Sequence, residues 1–498
     1  MPAPAGGSVA ACASRWSRVA ACASRWIGPR PGGRSHRAST CWRRQLREAR
    51  QRRPHLPNLT NVQHPLPGPK SRQLLDAWHQ YEAQCTGYQA QLVWDHAEGV
   101  LVTDVDGNKF IDWTSGVLVA NVGHSHPKHV EAVQRQAGRL MNNYDFPTPE
   151  RVAFAKRMVE TTPPNLDKAF FLTTGSEACE AAVRVAKRYT GKFEIVSFVG
   201  GFHGRTYAAM SLAGMAGTKR QYGPLMPGVI RAPFPYCYRC PLGKCPDSCS
   251  MECFDLMETI VDASTTGSLA AVMVEAYQGA AGFIFAPDGY LKRLETWARD
   301  RDLVFILDEV QSSYGRTGKM YAAEWDDLRP HLMAVGKGIG SGIPTSALMA
   351  ESQVIGALGQ GEMSSTCGGN PVSCAAGLAV LDIMEAEDLI GNANRMGAII
   401  KDRLLQIQEK CPYLGDVRGR GLVIGMEFVK DKQTREPAPD ITRQVIDNAA
   451  QHGVLVGSVG IYGNVIRVAP PLMIHDAEVH ESLDIMEQVL TTLYTREG

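Results

Sequence analysis

Short runs of apolar residues recur along the middle of the chain and alternate with stretches of helical character. The runs are Ala169 to Leu172, Ile195 to Val199, Ala270 to Val274, Val304 to Leu307, Leu332 to Val335 and Ala347 to Ala350. Continuous apolar runs of this length are typical of strands that are covered on both faces, and the intervening helices favour parallel connections. The pattern therefore predicts an α/β fold with a mainly parallel sheet, in which ligands bind beyond the carboxyl ends of the strands.

The segment before this region has other periodicities. Residues 90–113 alternate apolar and polar side chains around the turn Asp106-Gly107, which predicts an antiparallel hairpin. A helical pattern then extends from Val130 to Leu140. With 498 residues, 44% of them hydrophobic, the chain can build a large core over more than one domain. It has no run of about 18 uncharged apolar residues, so we expect no membrane partner.

The net charge of +1 conceals an arginine-rich extension. Residues 1–53 contain twelve arginines, no lysine and one acidic residue, which gives +11, while the remaining residues carry −10. We predict that residues 1–60 are disordered, because the stretch has little hydrophobic periodicity. It can be interpreted as an extension without a targeting role, as an organelle transit peptide, or as a nucleic-acid-binding arm. We expect no nucleic-acid partner and a cytoplasmic protein, or a protein of the mitochondrial matrix if the extension is a transit peptide.

Polar residues follow four of the apolar runs. Leu172 precedes Thr173-Thr174-Gly175-Ser176-Glu177, a turn that opens a helical pattern reaching about Tyr189. The free backbone N–H groups at a helix start suit a phosphate. Ordinary capping of the helix by Ser176 with Glu180 is the alternative interpretation of the same residues.

The other three runs end in a carboxylate or a lysine. Asp308 follows Leu307 with Gln311 three residues further on, Lys337 follows Val335 within Gly336-Lys337-Gly338, and Glu275 follows Val274. A helix cap at Asp308 and an ordinary glycine-rich loop at Lys337 are the alternatives for the single motifs. With the aromatic ring of Phe202, these groups match what pyridoxal phosphate requires: a lysine amine, a carboxylate at the pyridine nitrogen, a phosphate cup and an aromatic face.

From about residue 75 to the end, the chain resembles the class III aminotransferases of the fold type I pyridoxal phosphate group. The matching segments are Gly123-His124-Ser125-His126-Pro127, Thr174-Gly175-Ser176-Glu177-Ala178, Gly201-Phe202-His203-Gly204-Arg205-Thr206, Glu275 with Gln278-Gly279, Asp308-Glu309-Val310-Gln311, Gly336-Lys337-Gly338-Ile339-Gly340, Thr366-Cys367-Gly368-Gly369-Asn370-Pro371, Val417-Arg418-Gly419-Arg420-Gly421-Leu422, and Arg467-Val468-Ala469-Pro470-Pro471. The resemblance implies a cofactor-binding large domain at residues 116–375, and a smaller α+β domain built from residues 61–115 and 376–498.

The resemblance also implies the roles of the reacting groups. Lys337 holds pyridoxal 5′-phosphate as a Schiff base and then carries the proton, Asp308 pairs with the pyridine nitrogen, and Gln311 contacts the ring oxygen. Two residues depart from the family pattern: Ala276 stands where proline is usual, and Gly336 precedes the lysine where serine or alanine is common. Neither departure removes a reacting group.

The remaining cofactor contacts follow from the same resemblance. Gly175 and Ser176 bind the phosphate, Phe202 stacks on the ring, and His203 belongs to the same cofactor site. Thr366 resembles the threonine that completes the phosphate site of the neighbouring subunit. A homodimer with shared active sites is therefore expected.

Four residues are the expected substrate contacts. Arg467 matches the family arginine that binds an α-carboxylate, and Glu275 matches the glutamate that pairs with this arginine while an ω-amino donor reacts. Arg205 matches the arginine that binds the distal carboxylate in 4-aminobutyrate aminotransferases, and Val117 matches an aliphatic residue over the substrate. Arginine suits a carboxylate because its fork is bidentate and always charged. An ion pair unrelated to substrate is the alternative for each arginine.

These contacts predict a ping-pong aminotransferase that moves the amino group of 4-aminobutyrate or a similar ω-amino acid to 2-oxoglutarate. Its partners are then a small amino donor and a 2-oxo acid acceptor. The alternatives within the family are an ornithine or acetylornithine type, a broad-specificity aminotransferase, and a racemase or aminomutase of the same fold.

A cysteine-rich insert is expected at residues 236–253. It contains Cys237, Cys240, Cys245, Cys249 and Cys253. The spacing would allow a zinc or iron–sulfur site, but it has no second CxxC, and we predict an ordered loop of reduced thiols without metal. A nucleic-acid- or metal-binding protein built on this insert and on the arginine-rich extension is the alternative from a different class, and it leaves the residues at the strand ends unexplained.

Overall fold

The computed structural model describes residues 58–87, 89–244 and 248–495. Residues 1–57 of the extension, which we predict to be disordered, lie outside the described residues, and so does Cys245. Residues 58–60 are described. Leu59 and Thr60 donate their backbone N–H groups to Glu481, each at 2.9 Å. These last residues of the predicted extension are thus bound to the body of the protein.

The largest sheet of the described residues has seven strands, in the order β4-β10-β9-β8-β7-β5-β6. Its strands are β4 (Lys168–Leu172), β5 (Glu194–Phe198), β6 (Val229–Ala232), β7 (Leu269–Glu275), β8 (Val304–Glu309), β9 (Leu332–Val335) and β10 (Ser346–Ala350). The strands from β9 to β6 run parallel, and β10 pairs antiparallel with both β4 and β9. The prediction of a mainly parallel sheet is confirmed, and each of the six apolar runs forms a strand.

Two four-stranded sheets accompany the central sheet, in the orders β1-β2-β3-β13 and β11-β12-β15-β14. The strands are β1 (Trp94–Glu98), β2 (Leu101–Asp104), β3 (Lys109–Asp112), β11 (Leu414–Arg420), β12 (Val423–Phe428), β13 (Val454–Leu455), β14 (Gly457–Val459) and β15 (Val465–Val468). The predicted hairpin around Asp106-Gly107 is the pair β2–β3, and β1 adds a third strand. Because β3 pairs with β13, segments from the two ends of the chain share one sheet.

Besides the single turn Ser115–Leu118, twelve α-helices surround these sheets in the described part of the chain. They are α1 (Pro69–Tyr81), α2 (Pro127–Ala137), α3 (Pro149–Thr161), α4 (Gly175–Thr190), α5 (Tyr207–Leu212), α6 (Glu252–Ser264), α7 (Tyr290–Arg299), α8 (Ser352–Ile355), α9 (Pro371–Ala386), α10 (Leu389–Lys410), α11 (Pro439–Gln451) and α12 (Asp476–Thr495). The expected helix after residue 127 is α2, but it ends at Ala137, and Leu140 lies beyond it. None of these helices combines the length and apolar character that a membrane crossing requires.

Candidate active site

Lys337 lies in a tight turn directly after β9. Its backbone is left-handed, with a φ of 49°, which is unusual for a residue with a side chain and is a form of strain that clusters at functional sites. Burial lowers the pKa of the Lys337 amine, and the carboxylates of Asp308 and Glu275 oppose that shift. The lowered pKa favours the neutral amine, which is the nucleophilic form.

A cavity of about 180 Å³ joins Lys337 to the start of α4. Its walls are Val119, Thr173, Thr174, Gly175, Lys337 and residues 342–345. The cavity thus connects the predicted lysine with the predicted phosphate cup. A larger cavity of about 410 Å³ lies along the edge strand β6, between Phe193 and Ile260, and contains none of the predicted site residues.

Thr174, rather than Ser176, caps helix α4. The Thr174 hydroxyl accepts the Glu177 N–H at 3.3 Å, and the Glu177 carboxylate accepts the Thr174 N–H at 2.8 Å. Capping by Ser176 with Glu180 is therefore wrong, because Glu180 instead accepts the N–H of Ala208 at the start of α5. Gly175 and Ser176 begin the helix, where backbone N–H groups have no partner within the helix and face an anion favourably.

Asp308, the residue before the last one of β8, is a buried carboxylate with several donors around it. It accepts His203 Nδ1 at 2.8 Å, the Cys179 thiol at 3.3 Å and the Val310 N–H at 3.0 Å. Burial alone would raise the pKa of Asp308, but these donors and the Lys337 charge outweigh it and lower that pKa. No helix starts at this point, so the interpretation of Asp308 as a helix cap is wrong.

Cys179 is a contact of Asp308 that the sequence did not single out. It lies on α4, one turn after Gly175, and the helix start thereby also supplies a donor to the carboxylate. Burial, followed by the charge of Asp308, raises the pKa of the Cys179 thiol, so the sulfur keeps its proton and donates it. The sequence did contain a signal for this contact, because Cys179 lies on the buried face of a helix that begins at the predicted phosphate cup.

Glu275 ends strand β7 and holds two loops of the site. Its carboxylate accepts the Phe202 N–H at 2.9 Å and the Gly279 N–H at 3.0 Å. The pKa of Glu275 is raised to about 7, mainly by burial and also by the Asp308 charge, against the opposing charge of His203. Gly279 also lies against Gln311, whose Oε1 would stand 2.0 Å from a Cβ at that position.

These groups fit pyridoxal phosphate. The carboxylate of Asp308 has lone pairs beyond the three it uses, and the buried Oε1 of Gln311 has no hydrogen-bond partner in the described part of the chain. Lys337 would hold the aldehyde carbon, the start of α4 would hold the phosphate, and Asp308 would keep the pyridine nitrogen protonated. When bound, the protonated ring acts as an electron sink for the carbanion that forms at the substrate carbon.

The expected substrate residues lie at different depths. Arg467 on β15 is buried, with 5% of its surface exposed, and its Nε has no hydrogen-bond partner in the described residues. Arg205 is exposed, donates its backbone N–H to Ser176 and places its guanidinium 5.8 Å from the centre of the Phe202 ring. Neither arginine forms an ion pair within the described ranges, so the alternative of an unrelated ion pair finds no support there. Val117 is half exposed.

Thr366 and the cysteines stand apart from this cluster. Thr366 is exposed, and its side chain makes no hydrogen bond within the described part of the chain. The described thiols of the insert lie near one another. Burial raises the pKa values of Cys237 and Cys253, and the neighbouring thiols among Cys237, Cys240 and Cys249 raise them further. Among the described residues, the one group of three ligand atoms within 4.8 Å of each other is Cys179, His203 and Asp308, and no three thiols of the insert converge in this way.

Comparison with known proteins agrees with this geometry. A family model described as "Aminotransferase class-III" matches residues 83–490. A probable 4-aminobutyrate aminotransferase of Bacillus subtilis (strain 168) is 37% identical, over 78% of this chain and 91% of that protein. An isoleucine 2-epimerase of Lentilactobacillus buchneri is 36% identical, over 85% of this chain and 95% of that protein.

Solved structures give the same result. An amine transaminase from an uncultivated Pseudomonas species, in its PLP-bound form, is 29% identical with a TM-score of 0.77, over 83% of this chain and 98% of that chain. The chain belongs to the class III aminotransferases, which use pyridoxal 5′-phosphate as their cofactor.

Proposed function

We propose that the protein transfers the amino group of 4-aminobutyrate, or of a similar ω-amino acid, to 2-oxoglutarate. The observation that carries this proposal is a pair of arginines without an ion pair in the described residues: Arg467, whose charge acts on Lys337, and Arg205, which lies against Ser176 and the Phe202 ring. A donor and an acceptor that each carry a carboxylate at a distance from the reacting carbon need such free cations.

The residues divide the work as follows. Lys337, with its lowered pKa, removes the proton from the donor carbon and returns one during the second half of the cycle. Asp308 holds its negative charge against the cofactor nitrogen, because His203, Cys179 and Val310 donate to it. Glu275 lies near the same lysine and, when ionised, supplies a negative charge opposite Arg467 while the amine of an ω-amino donor reacts.

The test is a screen of amino donors with purified holoenzyme and 2-oxoglutarate. Glutamate formation is measured with 4-aminobutyrate, ornithine, N-acetylornithine and short-chain amines that lack a carboxylate. The proposal expects the highest kcat/KM for 4-aminobutyrate or another ω-amino acid. Turnover of the carboxylate-free amines at the same or a higher kcat/KM would contradict it.

A second candidate is racemisation or epimerisation of an α-amino acid, which the similarity to the isoleucine 2-epimerase favours. Such a reaction returns the amino group to the same molecule and therefore needs no oxo acid. Incubation of L-isoleucine with the holoenzyme alone, followed by chiral chromatography, separates the two activities. Inversion without 2-oxoglutarate, combined with no glutamate formation from any donor, would replace the first proposal by this one.

A homodimer belongs to the same proposal. Leu140, Met141, Phe146 and Val152 form an exposed apolar stretch, with Met141 65% and Phe146 78% exposed. Exposed apolar clusters of this kind mark association surfaces. Thr366 is also exposed, as a residue that reaches the neighbouring subunit must be. Sedimentation equilibrium should give twice the chain mass of 54.3 kDa, and a monomer that is fully active would contradict the shared site.

A further inference from the structure

Arg316 is a fully buried arginine in the loop after β8, with 0% of its surface exposed. Burial lowers its pKa to about 10. Buried arginines are normally paired with a carboxylate, yet Arg316 has no ion pair in the part of the chain that the structure describes. Its hydrogen bonds all go to neutral oxygen atoms, and the carboxylate of Asp112 acts on its charge without forming an ion pair. Such a costly arrangement calls for a reason beyond filling the core.

The guanidinium of Arg316 donates to three segments that are distant in sequence. Nη1 donates to the carbonyl of Pro470 at 2.6 Å, and Nη2 donates to Asn121 Oδ1 at 2.7 Å and to Ser115 Oγ at 3.4 Å. A further contact joins Nη1 to the Leu422 carbonyl at 3.4 Å. The planar fork of an arginine can serve several acceptors at fixed angles, which the single ammonium of a lysine cannot do.

Asn121 connects Arg316 to the lysine turn. Its Nδ2 donates to the Tyr314 carbonyl at 2.8 Å, and its side chain packs directly on Gly338, the residue after Lys337. A Cβ at Gly338 would stand 2.3 Å from Nδ2 of Asn121, so the amide occupies the space that any larger residue would need. The side-chain amide of Asn121 thus packs against the left-handed turn of Lys337, and a hydrogen bond from Arg316 fixes the position of that amide.

Ser115 connects Arg316 to the turn that presents Val117. All four residues from Ser115 to Leu118 have positive φ, between 48° and 70°, although Gly116 is the single glycine among them. A β-branched residue at a φ of 70° is strained, so the turn persists because its surroundings fix it. Ser115 Oγ accepts from Arg316 and donates to the Ala469 carbonyl at 2.6 Å.

Pro470 and Ala469 connect Arg316 to the arginine of the substrate site. Arg467 stands on β15, two residues before Ala469, and its guanidinium lies against Gly457 of the neighbouring strand. The Ala469 N–H donates to the Trp113 carbonyl at 2.8 Å, so this strand end is tied both to the turn at Ser115 and to Arg316.

We propose that Arg316 is a positioning residue that sets the substrate side of the lysine site, acting through Asn121, Ser115 and Pro470. It fixes the relative positions of Lys337, Val117 and Arg467 without contact with the substrate. The proposal rests on the proposed role of Arg467 in carboxylate binding. A displacement of about 1 Å between such groups can cost on the order of 100-fold in turnover efficiency.

The test compares the holoenzyme with Arg316→Lys, Arg316→Met and Asn121→Ala variants. The matched control is Arg231→Lys, because Arg231 is a partly buried arginine that donates to the carbonyls of Ser211 and Ala213, and neither of these lines the lysine site. Five quantities are measured: KM and kcat for the 2-oxo acid acceptor, the calorimetric affinity for the unreactive dicarboxylate glutarate, the visible absorbance of the bound cofactor, and the melting temperature.

In the Arg316 variants and in Asn121→Ala, we expect the acceptor KM to rise about 10- to 100-fold. The affinity for glutarate should fall by about the same factor in each variant. The cofactor absorbance stays at the wild-type level, and Arg231→Lys matches the wild type in both binding measurements. Arg316→Lys retains the charge and falls between Arg316→Met and the wild type. If Arg316→Met fails to fold, Asn121→Ala and Arg316→Lys carry the test.

Variants that lose melting temperature or cofactor absorbance while KM and glutarate affinity stay at wild-type values would show a purely structural role and overturn the proposal. Variants equal to the wild type in every measurement would overturn it as well. Failure of the proposed function would appear in the wild type itself, as a lack of turnover with 4-aminobutyrate. The acceptor KM and glutarate affinity of the variants relative to the wild type can still be determined in that case with whichever donor reacts.

Discussion

The cofactor side and the substrate side of the lysine site differ in how their polar groups are satisfied. On the cofactor side, Asp308 accepts three donors, and Glu275, which is also an expected substrate contact, accepts two; all these bonds come from groups of the same protein. On the substrate side, Arg205 and Arg467 have no ion pair in the described residues. A permanently bound cofactor can be matched by a fixed network, whereas two alternating anionic substrates need cations that stay free.

The backbone differs between the two sides as well. The cofactor side is built on the ends of regular strands, with Glu275, Asp308 and Lys337 at or just after β7, β8 and β9. The substrate side includes the left-handed turn of residues 115–118, which depends on the buried guanidinium of Arg316. The cofactor side is thus determined by sheet topology, and the substrate side by contacts between residues far apart in the chain.

Substitution of Lys337 should have the largest effect, because it removes the group that both sides share. Lys337→Ala should lower transamination by more than about 1000-fold and remove the visible absorbance of the lysine-bound cofactor. Steady-state assays and absorption spectra of the purified variant check this. Lys168→Ala, at the exposed start of β4, is the control and should behave like the wild type. An active, yellow Lys337→Ala protein would remove the basis of the comparison.

Substitution of Arg467 should affect the substrate side alone. Arg467→Met should raise the KM for 2-oxoglutarate by roughly 10- to 100-fold, since a charge-assisted bidentate contact is lost, while the cofactor absorbance stays unchanged. Arg420→Met, which removes a surface partner of Asp288, serves as the control. Loss of the cofactor together with an unchanged KM would show that Arg467 belongs to the cofactor side.

Substitution of Glu275 should change the stability of the protein, and the change should depend on pH. Burial raises its pKa from an ordinary 4.5 to about 7 in the folded protein. The folded state therefore binds the proton more tightly, and the stabilisation of about 3 kcal/mol present below pH 4.5 is lost as the pH rises to about 7. Glu275→Gln, which cannot ionise, should gain melting temperature relative to the wild type from about pH 5 to about pH 8. A difference that is constant over this range would mean that Glu275 is ionised throughout.

The residues at the strand ends could be predicted from the sequence, because each apolar run fixes where a strand stops. Asp308 and Lys337 were identified in this way, and β8 and β9 place them at the same edge of the sheet. The alternative interpretation of Ser176 as the cap of α4 was wrong. Thr174-Gly175-Ser176-Glu177 contains the spacing of a capping box, but Ser176 competes for the same role in the sequence.

The support of the substrate side could not be predicted. Arg316 and Asn121 are 195 residues apart in the chain, and Cys179 and Asp308 are 129 apart, so no local pattern relates them. The left-handed turn at Val117 was equally hidden, since β-branched residues strongly disfavour that conformation in isolation. In both cases the structure is imposed by tertiary contacts rather than by local preference.

The central claim is that the free cations of the substrate side serve an amino donor and then an oxo acid, one after the other. A half-reaction experiment tests it most directly: the holoenzyme is mixed with 4-aminobutyrate alone, and the visible absorbance of the cofactor is followed. The account predicts a stoichiometric loss of that absorbance, and its full return on addition of 2-oxoglutarate, with one glutamate formed per active site. An absorbance that stays unchanged with every ω-amino acid, or one that returns without any oxo acid, would contradict it.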